Sequence, residues 1–153
     1  MLVGIDVCHK GKQSTIGFCA TYDQYMCKYY AQASPQPQKG QEIISSTILS
    51  DYFMRSFQCY REYNGGKMPN HIFIYRDGVG DSMRQQVIDF ELEQLNKIIS
   101  EEYGQFEGSE QKLALPKVTL IIVNKRVRQR FFQQTQQNGN TFIDNPPQGT
   151  YVD

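Results

Sequence analysis

The sequence predicts an α/β domain with a mixed sheet, built in the order β-β-β-α-β-α-β. Short apolar segments typical of buried strands alternate with two longer segments whose apolar residues recur at helical spacing. The chain has 153 residues, which suits a single domain with a substantial core. Strands separated by helices should pair in parallel through right-handed crossovers, whereas the first three strands should form an antiparallel meander.

The first three strands are predicted at residues 2–8, 14–22 and 25–33. Residues 2–8 are mostly apolar, as in a strand that is buried on both faces, and they contain one acid, Asp6. The other two segments are rich in β-branched and aromatic residues, and the polar pair Asp23-Gln24 between them indicates a hairpin. An acid within a buried strand is unusual, so Asp6 is a candidate functional residue.

A loop and a long helix follow these strands. Two prolines and one glycine within residues 34–40 exclude a helix there. From Gln41 onward, helical spacing of the apolar residues predicts a helix of about 20 residues. The pair Gly65-Gly66 ends the pattern, as glycine commonly does at a helix C-terminus.

The second half of the chain begins with a short apolar strand at residues 71–75, which ends at the turn Asp77-Gly78. Asp81 is the predicted N-cap of the next helix, which should extend to Gly104. Its predicted buried face consists of Ile88, Leu92, Leu95 and Ile99.

Four further segments are predicted after this helix. Residues 118–123 have the apolar character of a buried strand, and residues 125–132 form a basic segment. Residues 133–148 are rich in Gln, Asn and Pro and predict a loop. Residues 150–152 resemble the beginning of another strand, so we expect a domain that is incomplete at its C-terminus.

Composition excludes several classes of protein. The longest aliphatic run has four residues, far fewer than the roughly 18 that a membrane span needs. No CxxC pair occurs, and we expect the cysteines to be buried, reduced thiols in a cytosolic or nuclear protein. Sixteen basic residues balance 16 acidic ones, but their distribution is uneven. Residues 77–110 contain nine acids and only two bases, Arg84 and Lys97. Residues 117–130 contain five bases and no acid.

Two of the acids are predicted to meet at one edge of the sheet. The first strand should lie centrally, parallel to the strand that precedes Asp77, and neighbouring strands are about 4.8 Å apart. Ligands of open α/β sheets bind beyond the carboxyl ends of such strands. Asp6 and Asp77 could therefore share one or two Mg²⁺ or Mn²⁺ ions and cleave phosphodiesters. Alternatively, Asp6 pairs with a buried arginine and Asp77 is a turn residue.

Several motifs resemble successive landmarks of the Argonaute/Piwi family over nearly the whole chain. The most specific is Tyr-Arg-Asp-Gly-Val at residues 75–79. The others are Val-Gly-Ile-Asp-Val at residues 3–7, Gly-Phe at 17–18, Gln-Glu-Ile at 41–43, Ile-Val-Asn-Lys-Arg at 122–126 and Gly-Thr at 149–150.

The resemblance implies an RNase H-like fold and guide-directed cleavage of RNA by a metal-bound tetrad, Asp-Glu-Asp-His or Asp-Glu-Asp-Asp. Asp6 and Asp77 match its two metal-binding aspartates, and Glu42 matches a glutamate that enters the site from a flexible loop. The fourth member is expected beyond Asp153; His9 is interpreted as a turn residue and His71 as a strand-edge residue. From its position alone, Glu42 could equally be an acid favoured by the helix dipole in the first turn.

The basic segment also matches the family. Lys125, Arg126 and Arg130 correspond to positions that hold the phosphate backbone of the guide strand, although Asn124 replaces the usual Gln. Lysine and arginine suit contacts with phosphates that do not depend on base sequence. A solvated basic face is the alternative.

We therefore expect residues 1–153 to be the N-terminal part of a Piwi domain from a small-RNA-guided silencing protein of the cytoplasm or nucleus. Its expected partners are a guide RNA, a complementary target RNA and the remaining domains of the intact protein, with Mg²⁺ or Mn²⁺ as cofactor and no membrane. Alone, the chain should be inactive and should expose an apolar patch. The alternatives are a guide-binding module that silences by recruiting partners without cleavage, or another RNase H-like nuclease such as a transposase or junction resolvase.

Overall fold

A five-stranded mixed sheet forms the centre of the protein. The computed structural model describes residues 1–10, 13–36, 40, 42–104, 114–125 and 128–152. The sheet has the order β3-β2-β1-β4-β5, in which β1 pairs antiparallel with β2 and parallel with β4. This arrangement confirms the predicted central position of the first strand. The strands are β1 (Leu2–Lys10), β2 (Gln13–Thr21), β3 (Tyr29–Pro35), β4 (His71–Asp77) and β5 (Lys117–Val123).

Helix α1 spans Ser46–Tyr63 and begins later than predicted. Ser45, immediately before it, has the extended backbone angles φ −67° and ψ 145°. Gln41, the predicted start, lies outside the described residues. Glu42 therefore precedes the helix, and the interpretation of Glu42 as an acid of the first helical turn is wrong.

The second helix changes its winding along its length. It consists of a 3₁₀ turn (Asp81–Met83), an α-helical turn (Arg84–Gln86), a π-helical segment (Val87–Leu92) and a final α-helical segment (Glu93–Gly104). Gly80, not Asp81, stands at the N-cap position.

The π-helical segment also changes which residues are buried. Val87, Glu91 and Leu95 face the interior, whereas Ile88, predicted to be buried, is 42% exposed. Hydrogen bonds between residues five apart place more residues in each π turn than in an α turn, so the buried face shifts along the sequence. A constant helical spacing could not predict this shift.

The core lies between the two helices and one face of the sheet. Alternate residues of β1 point into it, namely Val3, Ile5 and Val7, and Asp6 between them is exposed on the other face. The interpretation of Asp6 as the partner of a buried arginine is therefore wrong. Aromatic rings fill the centre, with the centroids of Phe18 and Phe53 5.3 Å apart. Other core members are Ile16, Leu49, Phe57, Ile72, Ile74, Ile98 and Ile99.

The turn before β3 is longer than predicted. Asp23 Oδ1 accepts hydrogen bonds from the backbone N–H groups of Cys27 and Lys28, each at 2.8 Å. These bonds fold residues 23–28 into a turn, with Met26 at a positive φ of 56°, so that β3 begins at Tyr29 instead of Tyr25.

The C-terminal region contains a hairpin where a loop was predicted. Strands β6 (Gln133–Gln137) and β7 (Asn140–Asp144) pair antiparallel across Asn138-Gly139, whose φ angles of 52° and 77° suit a tight hairpin turn. The strand expected at residues 150–152 is not formed, because Thr150 closes a turn by donating from its N–H and its hydroxyl to the carbonyl of Pro147.

The cysteines and the two helices bear on the expected class of protein. All four cysteines are free, but Cys8 and Cys27 are exposed, so the expectation that the thiols are buried is wrong for these two. Within the part of the chain that the structure describes, neither helix combines the length and apolar character needed to cross a membrane.

Candidate functional site

Asp6 and Asp77 lie side by side on the open face of the sheet. The parallel register of β1 and β4 pairs Ile5 with Arg76, so Asp6 and Asp77 are the next residues on the two strands. Ile5 and Arg76 point into the core, and their successors point to the opposite face. Both aspartates line one depression there, which confirms the prediction that they meet on adjacent parallel strands.

Gly78 has no side chain and so leaves room for carboxylates of other residues beside the turn after β4. Its φ of 80° lies in the region that favours glycine, and its N–H donates to Asp77 Oδ1 at 2.8 Å. A Cβ added to Gly78 would lie 3.2 Å from Asp6 Oδ1 and 3.8 Å from Glu42 Oε1. The carboxylates of Asp6, Glu42 and Asp77 are therefore gathered around this turn.

Glu42 has a partner on each side. Its Oε1 pairs with Arg76 Nη2 at 3.0 Å, its Oε2 pairs with His9 Nε2 at 2.8 Å, and its side chain is only 12% exposed. That Glu42 enters the site from a flexible loop stays a prediction. The related expectation, that Glu42 stays out of direct contact with the aspartates, agrees with the structure: among the described residues, no three His, Cys, Asp or Glu side chains form a ready metal-binding group.

The two histidines lie at opposite ends of the sheet. His9 belongs to β1, not to a turn, and its Nδ1 lies 2.7 Å from Ser14 Oγ while its Nε2 meets Glu42. His71 is the first residue of β4, remote from Asp77 at the other end of that strand. The sequence did not predict the contact between His9 and Glu42, because β1 extends through His9, beyond the apolar residues from which the strand was predicted.

Lys125 lies at the aspartate pair. Its ammonium forms an ion pair with Asp77 Oδ2. The hydrogen bond from Lys125 lowers the pKa of Asp77, against a smaller opposing effect of burial. The pKa of Lys125 is raised chiefly by the same bond, then by the charge of Asp77 and, to a smaller degree, by that of Asp6. A single positive group is thus attracted by both aspartates.

The other basic residues of this segment have different settings. Arg128, which the predicted guide contacts omitted, lines a second depression with Arg84 and Lys125 next to Asp77. Arg130 is exposed in a segment without regular structure. Arg126 lies outside the described residues.

The donor set fits a hard divalent cation. Two carboxylates on one edge of the sheet offer the oxygen ligands that Mg²⁺ prefers, and the position of Lys125 shows that the pair attracts positive charge. Mg²⁺ is commonly bound by one or two carboxylates together with substrate phosphates, so a complete protein cage is not required. The arrangement suits binding of a phosphodiester.

The fully buried Arg76 lies beneath the aspartates, and its hydrogen bonds link Asp77, Glu42 and Glu91. Its Nη1 donates to the carbonyl of Asp77 at 2.7 Å, its Nη2 to the carbonyl of Glu42 at 2.8 Å, and its Nε to Glu91 Oε2 at 3.0 Å. Sequence reasoning missed the roles of both Arg76 and Glu91. A charged pair among otherwise apolar buried positions is the signal that could have found them.

Comparisons with known proteins agree with the fold and extend over the whole chain. The Piwi domain family matches residues 1–153. The chain is 35% identical over 156 aligned positions to Piwi-like protein 1 of Danio rerio, covering 100% of this chain and 16% of that protein.

Solved Argonaute structures have the same fold. The C-terminal lobe of a budding yeast Argonaute superposes with a TM-score of 0.76 at 26% identity, over 92% of this chain and 27% of that one. The Argonaute of Kluyveromyces polysporus with a guide RNA gives a TM-score of 0.75 at 25% identity, over 93% of this chain and 17% of the other. The RNase H-like class that the resemblance implied is thereby confirmed.

Proposed function

Because the chain belongs to the Piwi domain family, we propose that it binds a guide RNA with its target and cleaves the target by metal-dependent phosphodiester hydrolysis within a small-RNA-guided silencing protein. The juxtaposition of Asp6 and Asp77 on neighbouring parallel strands, with Glu42 fixed beside them, carries this proposal. The likeness to an Argonaute solved with a guide RNA supports the guide-binding part.

Asp6 and Asp77 would hold Mg²⁺ or Mn²⁺ on the open face of the sheet. The bound ion supplies positive charge for the phosphate oxygens and makes a bound water more acidic. Arg76 fixes the backbone of both Asp77 and Glu42, so these two carboxylates keep their relative position. His9 holds Glu42 from the other side, so that Glu42 lies beside the aspartate pair before a phosphodiester binds.

The basic residues at the margin suit the nucleic-acid backbone. Lys125 keeps a positive charge at the entrance, with its side chain 70% exposed, and Arg128 and Arg130 follow on the same segment. Such groups bind phosphates without reading bases, as a protein that accepts many guide sequences requires.

Cleavage by the intact protein that carries this domain tests the proposal. The protein is loaded with a guide and given a complementary RNA in Mg²⁺, as wild type and as D6N and D77N; D51N, on the exposed face of α1, is the matched control. We expect D6N and D77N to lose more than about 100-fold in cleavage rate, because even outer partners of metal ligands are worth about 10- to 100-fold. Guide affinity and the D51N rate should be unchanged.

The outcomes separate the alternatives. Cleavage by D6N and D77N at the wild-type rate would contradict the assignment of these residues. Tight guide binding by a wild-type protein that never cleaves would instead favour the silencing module that acts by recruiting partners.

A further inference from the structure

Glu91 is a buried acid of the π-helical segment, and its partners among the described residues, Arg76 and Ile44, lie beneath the open face of the sheet. Its side chain is 3% exposed, and no ligand-binding role follows from its position. Burial of a carboxylate is costly unless it is paired and hydrogen-bonded, so its partners indicate why it is there.

Within the described part of the chain, the partners of Glu91 support the segment that carries Glu42. Glu91 Oε2 accepts from Arg76 Nε at 3.0 Å, and Glu91 Oε1 accepts from Arg76 Nη2 at 3.4 Å. Glu91 Oε1 also accepts from the backbone N–H of Ile44 at 3.0 Å. Ile44 follows Glu42 by two residues, and Arg76 binds both the carbonyl and the carboxylate of Glu42. Glu91 thus holds the segment that carries Glu42 directly and through Arg76.

The charges of this cluster also depend on Glu91. Arg76 is a fully buried cation between two carboxylates, Glu91 and the partly exposed Glu42. With Glu91 present, Arg76 is neutralised from within the core, and the charge of Glu42 remains available to the site. Without the charge of Glu91, Glu42 would be the only acid paired with Arg76 among the described residues, and it would be drawn more strongly to that guanidinium.

We propose that Glu91 is a positioning residue for Glu42, setting the place and the available charge of the third carboxylate of the metal site. This inference rests on the proposed function, because it assumes that Glu42 contributes to cation binding. The π-helical winding is what brings Glu91 to this position, in keeping with the frequent occurrence of π turns at functional sites.

A double-mutant cycle on Mn²⁺ affinity tests the proposal without requiring cleavage. Mn²⁺ binding to the chain is measured by calorimetry for wild type, E91Q, E42Q and the double variant E42Q/E91Q, with the folded fraction of each fixed by circular dichroism. E91Q keeps an oxygen for the N–H of Ile44 but removes the charge opposite Arg76. E102Q, a change at another buried acid of the second helix, is the matched control.

We expect E91Q to weaken Mn²⁺ binding by about tenfold, the lower end for an outer partner of a metal site. In the E42Q background the same change should have no further effect, because the two residues act through one carboxylate. If E91Q changes the Mn²⁺ affinity equally in both backgrounds, or in neither, the proposal is overturned. The control E102Q should bind Mn²⁺ as wild type does.

Two further outcomes remain decisive. If E91Q does not fold, the same cycle is made with E91D, which keeps the charge but shortens the side chain, and the same criteria apply. If wild type binds Mn²⁺ but E42Q alone leaves its affinity unchanged, Glu42 is not part of the site; this overturns the positioning role of Glu91 while leaving the assignment of Asp6 and Asp77 intact.

Discussion

Replacing Gly78 by alanine should disturb the site through a single methyl group. At the φ of Gly78, 80°, an L-residue is strained by about 1–2 kcal/mol. The added Cβ would lie 3.2 Å from Asp6 Oδ1, which is shorter than an ordinary contact of about 3.5–4.0 Å, whereas its distance of 3.8 Å from Glu42 Oε1 is ordinary. Asp6 must therefore shift by several tenths of an ångström, and Glu42 need not.

Two other glycines separate strain from the displacement of Asp6. Gly66 has a similar φ of 85° with nothing within 4 Å of an added Cβ, so G66A should cost the same 1–2 kcal/mol without affecting the site. Gly80 has open space as well and a φ of −67°, so G80A should leave Mn²⁺ binding unchanged.

Stability is measured by urea unfolding and Mn²⁺ affinity by calorimetry. We expect G78A and G66A to be destabilised alike, and only G78A to bind Mn²⁺ roughly tenfold more weakly. Equal Mn²⁺ affinity of G78A and G66A would refute the reasoning, because Asp6 would then tolerate displacement without loss of the cation site.

Three other predictions concern charge and packing. K125M should raise the pKa of Asp77 toward its ordinary value of 3.8 in an NMR titration, because the Lys125 hydrogen bond is the main cause of its lowering. A carboxyl group whose pKa is lowered in the folded state stabilises the fold at pH values above the ordinary pKa. The stability difference between K125M and wild type should therefore vanish as the pH falls below the folded-state pKa of Asp77. In the intact protein, K125A combined with R130A should weaken all guides about equally and reduce the slope of log affinity against log salt by about 0.7 for each phosphate that is no longer neutralised, measured by filter binding in a salt series; weaker binding of only some guide sequences would contradict backbone binding. F53A should lower the unfolding free energy by about 3–5 kcal/mol because Phe53 is fully buried, whereas M54A, at a half-exposed neighbour, should change it by less than about 0.5 kcal/mol in the same urea titration.

The sheet and the meeting of Asp6 with Asp77 could be predicted from the sequence. Apolar strands separated by helical segments leave few topologies once crossovers are right-handed, and the parallel register then places both acids at one edge. Their interpretation as metal ligands depended on the motif at residues 75–79, because spacing alone left open the alternative of a paired Asp6 and a turn residue at Asp77.

The setting of Glu42 could not be predicted in the same way. It depends on Arg76 and Glu91, which are 34 and 49 residues away in sequence and meet only after β4 and the second helix pack together. The π-helical segment that turns Glu91 inward has no signal in a pattern of constant helical spacing.

Two elements differ from their predictions for local reasons. Side-chain hydrogen bonds explain the later start of β3, and strand composition explains why the C-terminal hairpin was not predicted. Asp23 binds two backbone N–H groups and so delays β3, although its neighbours favour a strand. At the C-terminal hairpin, Asn138-Gly139 is a strong turn signal, but the polar, Gln-rich flanks lack the apolar alternation that usually identifies strands.

The position at which Mn²⁺ binds tests the central claim most directly. Mn²⁺ is titrated into the ¹⁵N-labelled chain, and paramagnetic broadening of each backbone amide signal is followed by NMR. We predict that the amides of Asp6, Asp77 and Gly78 broaden first, and that this broadening is lost in the double variant D6N/D77N while the rest of the spectrum is retained. Broadening that begins in the acidic second helix, or that persists in D6N/D77N, would contradict the assignment of the metal site to the edge shared by β1 and β4.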